Sequence, residues 1–305
     1  MTEHLTKIGF IGLGSMGLAL ALRLEQSGKF RVVGYDRDQD RMKRLAATEG
    51  RFELASSIDI AANDSRCVMT CLPSAEAVHE VYCGPGGLAD RLIPGQTTID
   101  FSTVPPELAV ETGKRVAAAG GAHFEMPVVG SIRDAAEGKL HMLLSATDVA
   151  QKDDLPDLIA EVVSLLASAF TIAGPPGAAS RFKIIQNGLG LVQLNAIAEA
   201  IGICEASGLS SKAFVDFVSA APGMANTPLF RNTAPLMIAP AGEELTARLA
   251  IAAKDSHLYN IIAKQSGARS NFSSLSSALF AEAEASGLSN ADFTQVCRLF
   301  SVGRH

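Results

Sequence analysis

Short apolar runs alternate with longer amphipathic ones through the first half of the chain. Lys7–Leu13 is apolar and runs into glycine, and Ser15–Ser27 has helical spacing. Arg31–Tyr35 is a β-branched run closed by Asp36, and Asp38–Glu49 is charged and helix-like. Cys67–Leu72, Thr97–Phe101, His123–Val128 and Leu140–Ser145 are further strand candidates. This alternation predicts β-α-β units around a mostly parallel sheet, an α/β class. The texture changes after Gly174-Pro175-Pro176-Gly177. Phe182–Ala206 is almost continuously apolar, with Lys183, Glu199 and Glu205 as its charges. A helix apolar nearly all round is expected to be buried on most sides. Further helices are predicted over Ser211–Ala221, Glu244–Gln265, Leu275–Ser286 and Asn290–Phe300, with the Ser210-Ser211 and Ser289-Asn290 pairs as start residues. The pattern divides the chain near residue 174, into an α/β domain over 1–174 and an all-helical domain over 175–305.

Composition narrows the class. A chain of 305 residues suits two domains, and 19% charged against 48% hydrophobic residues is too apolar for disorder. Lys+Arg total 26 against Asp+Glu 32, a net charge of −6, with no basic block. Neither nucleic acid nor an anionic membrane surface is therefore expected as a partner. The apolar runs are interrupted by glycine and charge, so none is expected to span a membrane of about 20 residues. Met1–Lys7 carries Glu3 and lacks the basic-then-apolar order of a signal peptide, which points to a cytoplasmic protein. The five cysteines, at 67, 71, 83, 204 and 297, do not form a disulfide framework. They read as buried thiols in a reducing compartment, and no metal site is expected.

Gly12-Leu13-Gly14-Ser15-Met16-Gly17 follows the first strand candidate directly and opens a helix. The first glycine permits a tight turn, the second lets a diphosphate approach the backbone, and the third allows close helix–strand packing. Unpaired N–H groups at the helix start then meet the phosphates. Asp36, at the end of the next strand, suits the hydroxyls of an adenosine ribose and disfavours a 2′-phosphate, so NAD is preferred. Arg37 leaves NADP open, since a guanidinium there can hold that phosphate, although the favoured reading of Arg37 is a solvated turn residue. Leu72-Pro73-Ser74 and Asp100-Phe101-Ser102-Thr103 also end strands, where a doubly wound sheet places its ligand loops.

Lys183 is the chemical candidate. It stands near the start of the long apolar helix, between Arg181 and Lys212 as the neighbouring cations. Burial and a positive helix end both lower a lysine's pKa, which suits it to exchange a proton with an alcohol or alkoxide. Asn187 lies four residues on, on the same face. Lys254-Asp255 is a second candidate pair, readable also as a surface ion pair.

Together these motifs resemble the β-hydroxyacid dehydrogenase family, which includes 3-hydroxyisobutyrate dehydrogenase and the glyoxylate/succinic semialdehyde reductases. The resemblance rests on Gly12–Gly17, Leu72-Pro73-Ser74, Asp100–Thr103, Pro127-Val128-Val129-Gly130-Ser131, Lys183 with Asn187, and Lys254-Asp255. It implies an N-terminal Rossmann domain with a doubly wound sheet, a long interdomain helix, a helical C-terminal domain, and assembly as homodimers or homotetramers. It implies Lys183 as proton donor or acceptor, Asn187 as a substrate holder, and Thr103 and Lys254 in the cofactor cleft. Leu72 and Pro73 fall with the cofactor, and Val129, Gly130, Ser131 and Asp255 with the substrate.

The chain departs from the family pattern at Val129, where a serine usually grips the substrate carboxylate. Gly130-Ser131 and the following Ala135-Ala136-Glu137-Gly138 look like the glyoxylate/succinic semialdehyde reductase branch. Arg133 offers a charge-assisted contact instead, or is a solvated loop residue. The implied activity is NAD(P)-dependent interconversion of a small hydroxy acid and its semialdehyde or keto form. An imine-reductase-like enzyme and a non-catalytic dinucleotide-binding module are the alternatives; the presence of Lys183 argues against both.

Overall fold

The computed structural model describes residues 5–48, 53–239 and 246–301. The chain forms two compact units, Met1–Lys183 and Ile184–His305. In the first, β1 (Thr6–Ile11) leads through α1 (Ser15–Gln26) to β2 (Phe30–Tyr35), and α2 (Gln39–Thr48) leads to β3 (Glu53–Leu54). After α3 (Ile58–Ala62) the chain crosses to β4 (Cys67–Thr70), α4 (Ala75–Cys83), β5 (Thr97–Asp100), α5 (Pro106–Ala118) and β6 (Ala122–Glu125). The remainder of the unit is β7 (Val128–Val129), α6 (Ile132–Glu137), β8 (Leu140–Ser145), α7 (Asp157–Leu166) and β9 (Ala167–Gly174).

The strands order as β3-β2-β1-β4-β5-β6-β8-β7, with β9 beside β8. The first six are parallel, as the alternation predicted, and β8 runs antiparallel to β6 and β7. Strand order reverses between β1 and β4, so the loops after these strands open together at the carboxyl edge. The period-2 pleat explains the packing. Ile8 and Phe10 join α1's Leu20 and Leu24 and α7's Ile159, Val162 and Leu166 on one face. Ile11 and Val68 pack with Val78, Tyr82 and Val116 on the other.

Several boundaries differ from the sequence pattern. The expected strand His123–Val128 is two pieces, because Pro127 has no N–H to give a ladder. β9 was not expected, since its residues are largely half-exposed and carry little alternation. The first unit also reaches beyond residue 174 to Lys183. The physical reason is that Glu125 and Ser145, at strand ends of the sheet, hydrogen-bond the backbone of Gly177, Ala179 and Ser180.

The long helix α8 runs Ala178–Ala206, so the division of the chain falls inside it. It is long and apolar enough to cross a membrane by length and composition, contrary to the expectation that no run reached that length. It is also less enclosed than a helix apolar all round predicts. Leu191, Leu194, Ala198 and Ile201 enter the second unit's core, while Phe182, Ile185, Leu189 and Ile203 are exposed.

The second unit continues with α9 (Ser211–Ala220), α10 (Pro228–Ile238), α11 (Leu249–Gln265) and α12 (Asn271–Ala285). Ser210 caps α9 as predicted, its hydroxyl accepting from the Ala213 N–H. The expected start of a helix at Glu244 lies outside the described residues; α11 begins at Leu249. The last segment, Phe293–Phe300, is a 3₁₀ helix capped by Asp292, not by Ser289-Asn290. α10 was missed because Pro235 inside it breaks the helical pattern.

Candidate active site

The turn between β1 and α1 is built by its glycines. Gly12 has φ +93°, a conformation L side chains rarely adopt, and a Cβ there would lie 2.3 Å from the Cys71 carbonyl oxygen. A Cβ on Gly17 would lie 2.0 Å from the Gly12 carbonyl oxygen, so only glycine lets α1 sit on the turn. Gly14 is different. A Cβ there meets nothing within 4 Å, and no side chain caps the start of α1 at this residue. Ser15 is exposed, Met16 half-buried and Leu13 buried beneath the turn. The result is open space facing uncapped helix N–H groups, a cradle that fits the diphosphate of a dinucleotide.

Asp36 stands at the far side of this turn and is 6% exposed. Its Oδ2 accepts from the Leu13 N–H at 2.8 Å, and its Oδ1 accepts from the Asp38 N–H at 2.9 Å. Arg41 Nη1 donates to the same Oδ2 at 2.8 Å, and Arg41 also lies 3.6 Å from Asp38. Arg37 is turned outward, 3.6 Å from Glu80, with both side chains about three-quarters exposed. Arg41, and not Arg37, is therefore the guanidinium bonded to Asp36. Its signal was its position in the first turns of α2, just after the strand-ending acid.

The loops after β4 and β5 are tied together by a buried polar network. Asp100 Oδ1 accepts from Thr70 Oγ1 at 2.8 Å, from the Ser102 N–H at 3.0 Å and from Ser102 Oγ at 2.5 Å. Ser102 Oγ in turn accepts from the Leu72 N–H at 2.8 Å, bridging the two loops. Burial pushes the Asp100 carboxyl up, against the lowering effect of these hydrogen bonds. Burial also raises the Cys67 thiol and lifts Cys71 to about 12, so both are inert neutral thiols. The five cysteines are free, and among the described residues no cluster suits a metal ion. Pro73 is exposed and Thr103 half-buried at these loop tips.

The segment after β7 is engaged with itself. Ser131 forms a capping box with Asp134 at the start of α6, its Oγ donating to Asp134 Oδ2 at 2.6 Å. Gly130 has φ +143°, and Val129 is half-buried. Arg133 projects into solvent and pairs with Glu137 at 2.8 Å. In this segment Ser131 caps α6 and Arg133 forms an exposed ion pair.

Lys183 is 9% exposed and belongs to the first unit. Asn187, four residues on in α8, lies in the second unit, where its Nδ2 donates to Asp255 Oδ2 at 2.8 Å. Lys254 Nζ lies 3.2 Å from Asp255 Oδ1. Asp255 is 6% exposed, so the carboxylate fixes the Asn187 amide and leaves its carbonyl oxygen as an acceptor. No spacing rule linked Asn187 to Asp255; the fold of α8 on α11 makes the pair.

A glycine-built turn opening onto helix N–H groups at a strand-order reversal, with a buried acid closing the next strand, is the arrangement of a Rossmann dinucleotide-binding domain. Comparison with known proteins gives the family. Residues 7–164 match the NAD binding domain of 6-phosphogluconate dehydrogenase, and residues 177–300 match the NAD-binding domain of NADP-dependent 3-hydroxyisobutyrate dehydrogenase. The chain is 32% identical to L-threonate dehydrogenase of Cupriavidus necator over 231 residues, 75% of this chain and 74% of that one. It is 26% identical to glyoxylate/succinic semialdehyde reductase 1 of Arabidopsis thaliana, over 98% of this chain and 99% of the relative. A solved structure, Psf3 in complex with NADP+ and 2-OPP, superposes with a TM-score of 0.82 at 25% identity, over 96% of this chain and all of that one. The chain belongs to the β-hydroxyacid dehydrogenase family, and is an NAD(P)-dependent dehydrogenase.

Proposed function

We propose that Lys183 is the general acid and base of this enzyme, and that Asn187, held by Asp255, fixes the substrate. The observation that carries this reading is a 9%-exposed lysine on the helix whose start is tied to the dinucleotide-binding sheet. The nicotinamide supplies the hydride chemistry when bound. In the reducing direction the Lys183 ammonium gives a proton to the oxygen of the carbonyl as that oxygen becomes an alkoxide. In the oxidising direction the neutral amine takes the hydroxyl proton as the carbon loses its hydride.

The substrate class is a small hydroxy acid and its semialdehyde or keto form. The names of the relatives support this, and so does the lysine–asparagine pair. Val129 replaces a hydroxyl donor with a methyl surface, so the substrate's carboxylate depends on other donors. NAD(H) is the preferred cofactor, because Asp36 is buried and anchored at the ribose end while Arg37 pairs with Glu80 in solvent. Arg41 is the group that offsets this preference. The test is an initial-rate screen of NADH against NADPH over glyoxylate, succinic semialdehyde and related hydroxy acids. A lower KM for NADH is expected; a lower KM for NADPH overturns the cofactor assignment. Absence of turnover across the panel overturns the substrate class.

The enzyme works in the cytoplasm on free metabolites and assembles as a homodimer or homotetramer. Phe182, Ile185 and Leu189 support the assembly: they form an exposed apolar stripe along α8 at helical spacing, area that a second copy removes from water. Sedimentation equilibrium at micromolar concentration is expected to give at least a dimer. A monomer under those conditions contradicts the assignment.

A further inference from the structure

We propose that Glu125, with Ser145 beside it, is the positioning device that sets Lys183 over the dinucleotide-binding sheet. This rests on the reading of Lys183 as the proton-transfer group. Glu125 closes β6 and Ser145 closes β8, and the two are direct partners across the antiparallel pair. Both are almost wholly buried, at 3% and 1% exposure.

These two residues take three backbone donors at and just before the start of α8. Glu125 Oε2 accepts from the Gly177 N–H at 2.7 Å, and Oε1 accepts from the Ser180 N–H. Ser145 Oγ accepts from the Ala179 N–H at 2.9 Å. Ala178 donates to the Pro175 carbonyl at 3.0 Å, and Arg181 donates to the Gly177 carbonyl at 3.1 Å. A helix start ordinarily leaves about four N–H groups for side chains or water. Here side chains of the sheet supply acceptors for Ala179 and Ser180, and a carboxylate faces the positive end of the helix. Gly177, at φ +90°, makes the turn that brings its own N–H onto the carboxylate.

Lys183 lies three residues beyond Ser180, on the same face of the same helix. The pair at the strand ends therefore fixes both the rotation and the height of the lysine relative to the sheet that carries the nucleotide. Neither residue serves another role in the proposed chemistry. Burial pushes the Glu125 carboxyl up while the amides of Gly177 and Ser180 hold it down, as expected for a carboxylate retained inside for a specific contact. The sequence carried one signal for it, an acid closing an apolar strand before Pro127.

Glu125→Gln is the discriminating variant. Its amide keeps one acceptor and places an N–H₂ against the second backbone donor, which displaces the helix start. With NADH and the best substrate of the panel, kcat is expected to fall about tenfold or more while KM for NADH changes less than about twofold. A residue that merely supports folding moves both together with the melting temperature. Ser145→Ala is the second variant, for the case in which the first fails to fold; about a threefold fall in kcat is expected. Unchanged kcat in either folded variant overturns the proposal. Its failure is separable from that of the activity assignment. The rate at which trinitrobenzenesulfonate labels Lys183, read by mass spectrometry, is expected to change at least about threefold in both variants whether or not any substrate turns over. An unchanged labelling rate overturns the positioning role on its own.

Discussion

Lys183→Ala is expected to lower kcat by about 10² to 10⁴-fold while leaving the dissociation constant for NADH within about twofold. The separation follows from where the two functions sit. The proposed diphosphate cradle is the turn of Gly12, Gly14 and Gly17 between β1 and α1, with Asp36 at the end of β2, whereas Lys183 stands on α8. Alanine is also the best helix former, so the substitution leaves α8 intact. Lys183→Arg tests the chemistry further. Arginine keeps the charge but does not release its proton at neutral pH, so it is expected to be nearly as inactive as alanine. Fluorescence titration with NADH and steady-state rates on the same preparations give both quantities. A Lys183→Ala enzyme with more than about a tenth of wild-type kcat removes the lysine from the mechanism.

Much of this site was legible because it depends on local rules. The glycine turn after an apolar strand, the acid at the end of the next strand and a lysine near the start of an apolar helix are features of short segments. The parallel sheet followed from the alternation of runs for the same reason. What the sequence withheld depends on contacts between distant segments. Asn187 and Asp255 meet only because α8 packs along α11. Glu125 and Ser145 meet the start of α8 only because strand pairing puts their ends together. Arg41 was hidden by its neighbour: attention went to Arg37, directly after Asp36, which stands in solvent beside Glu80 as its favoured reading had it. Ser131 was placed with the substrate by resemblance, and Arg133 was read as a charge-assisted contact or a solvated loop residue; the structure pairs Ser131 with Asp134 and leaves Arg133 in solvent beside Glu137. The exposed apolar residues of α8 illustrate a different limit. Periodicity reports how much surface is apolar, and a helix that is apolar all round can be covered by its own chain or by another.

The glycines of the first turn separate folding from binding, and two alanine substitutions three residues apart are expected to behave differently. Gly17→Ala places a methyl 2.0 Å from the Gly12 carbonyl oxygen and 3.2 Å from Cys71 Cβ. Both neighbours are held in place, since Gly12 donates to the Tyr35 carbonyl at 2.9 Å and Cys71 donates to the Ile11 carbonyl at 3.0 Å. The strain is relieved only by lifting α1 from the sheet, which opens the packing of Leu20 and Leu24 beneath it. A cost of about 2–4 kcal/mol is expected, with a fall in melting temperature of about 5–10 °C and loss of NADH binding. Gly14→Ala adds the same methyl where nothing lies within 4 Å and where φ is −63°, which alanine adopts without strain. Stability is then expected to hold or to rise by about 0.4–1 kcal/mol, because alanine narrows the unfolded ensemble. NADH affinity is nevertheless expected to fall about tenfold or more, since the methyl occupies the space through which the diphosphate reaches the backbone of α1. Calorimetric melting and NADH titration of the two variants decide the matter. If Gly14→Ala binds NADH as the parent does, the diphosphate does not lie against this turn, and the assignment of the cradle fails even though the fold stands.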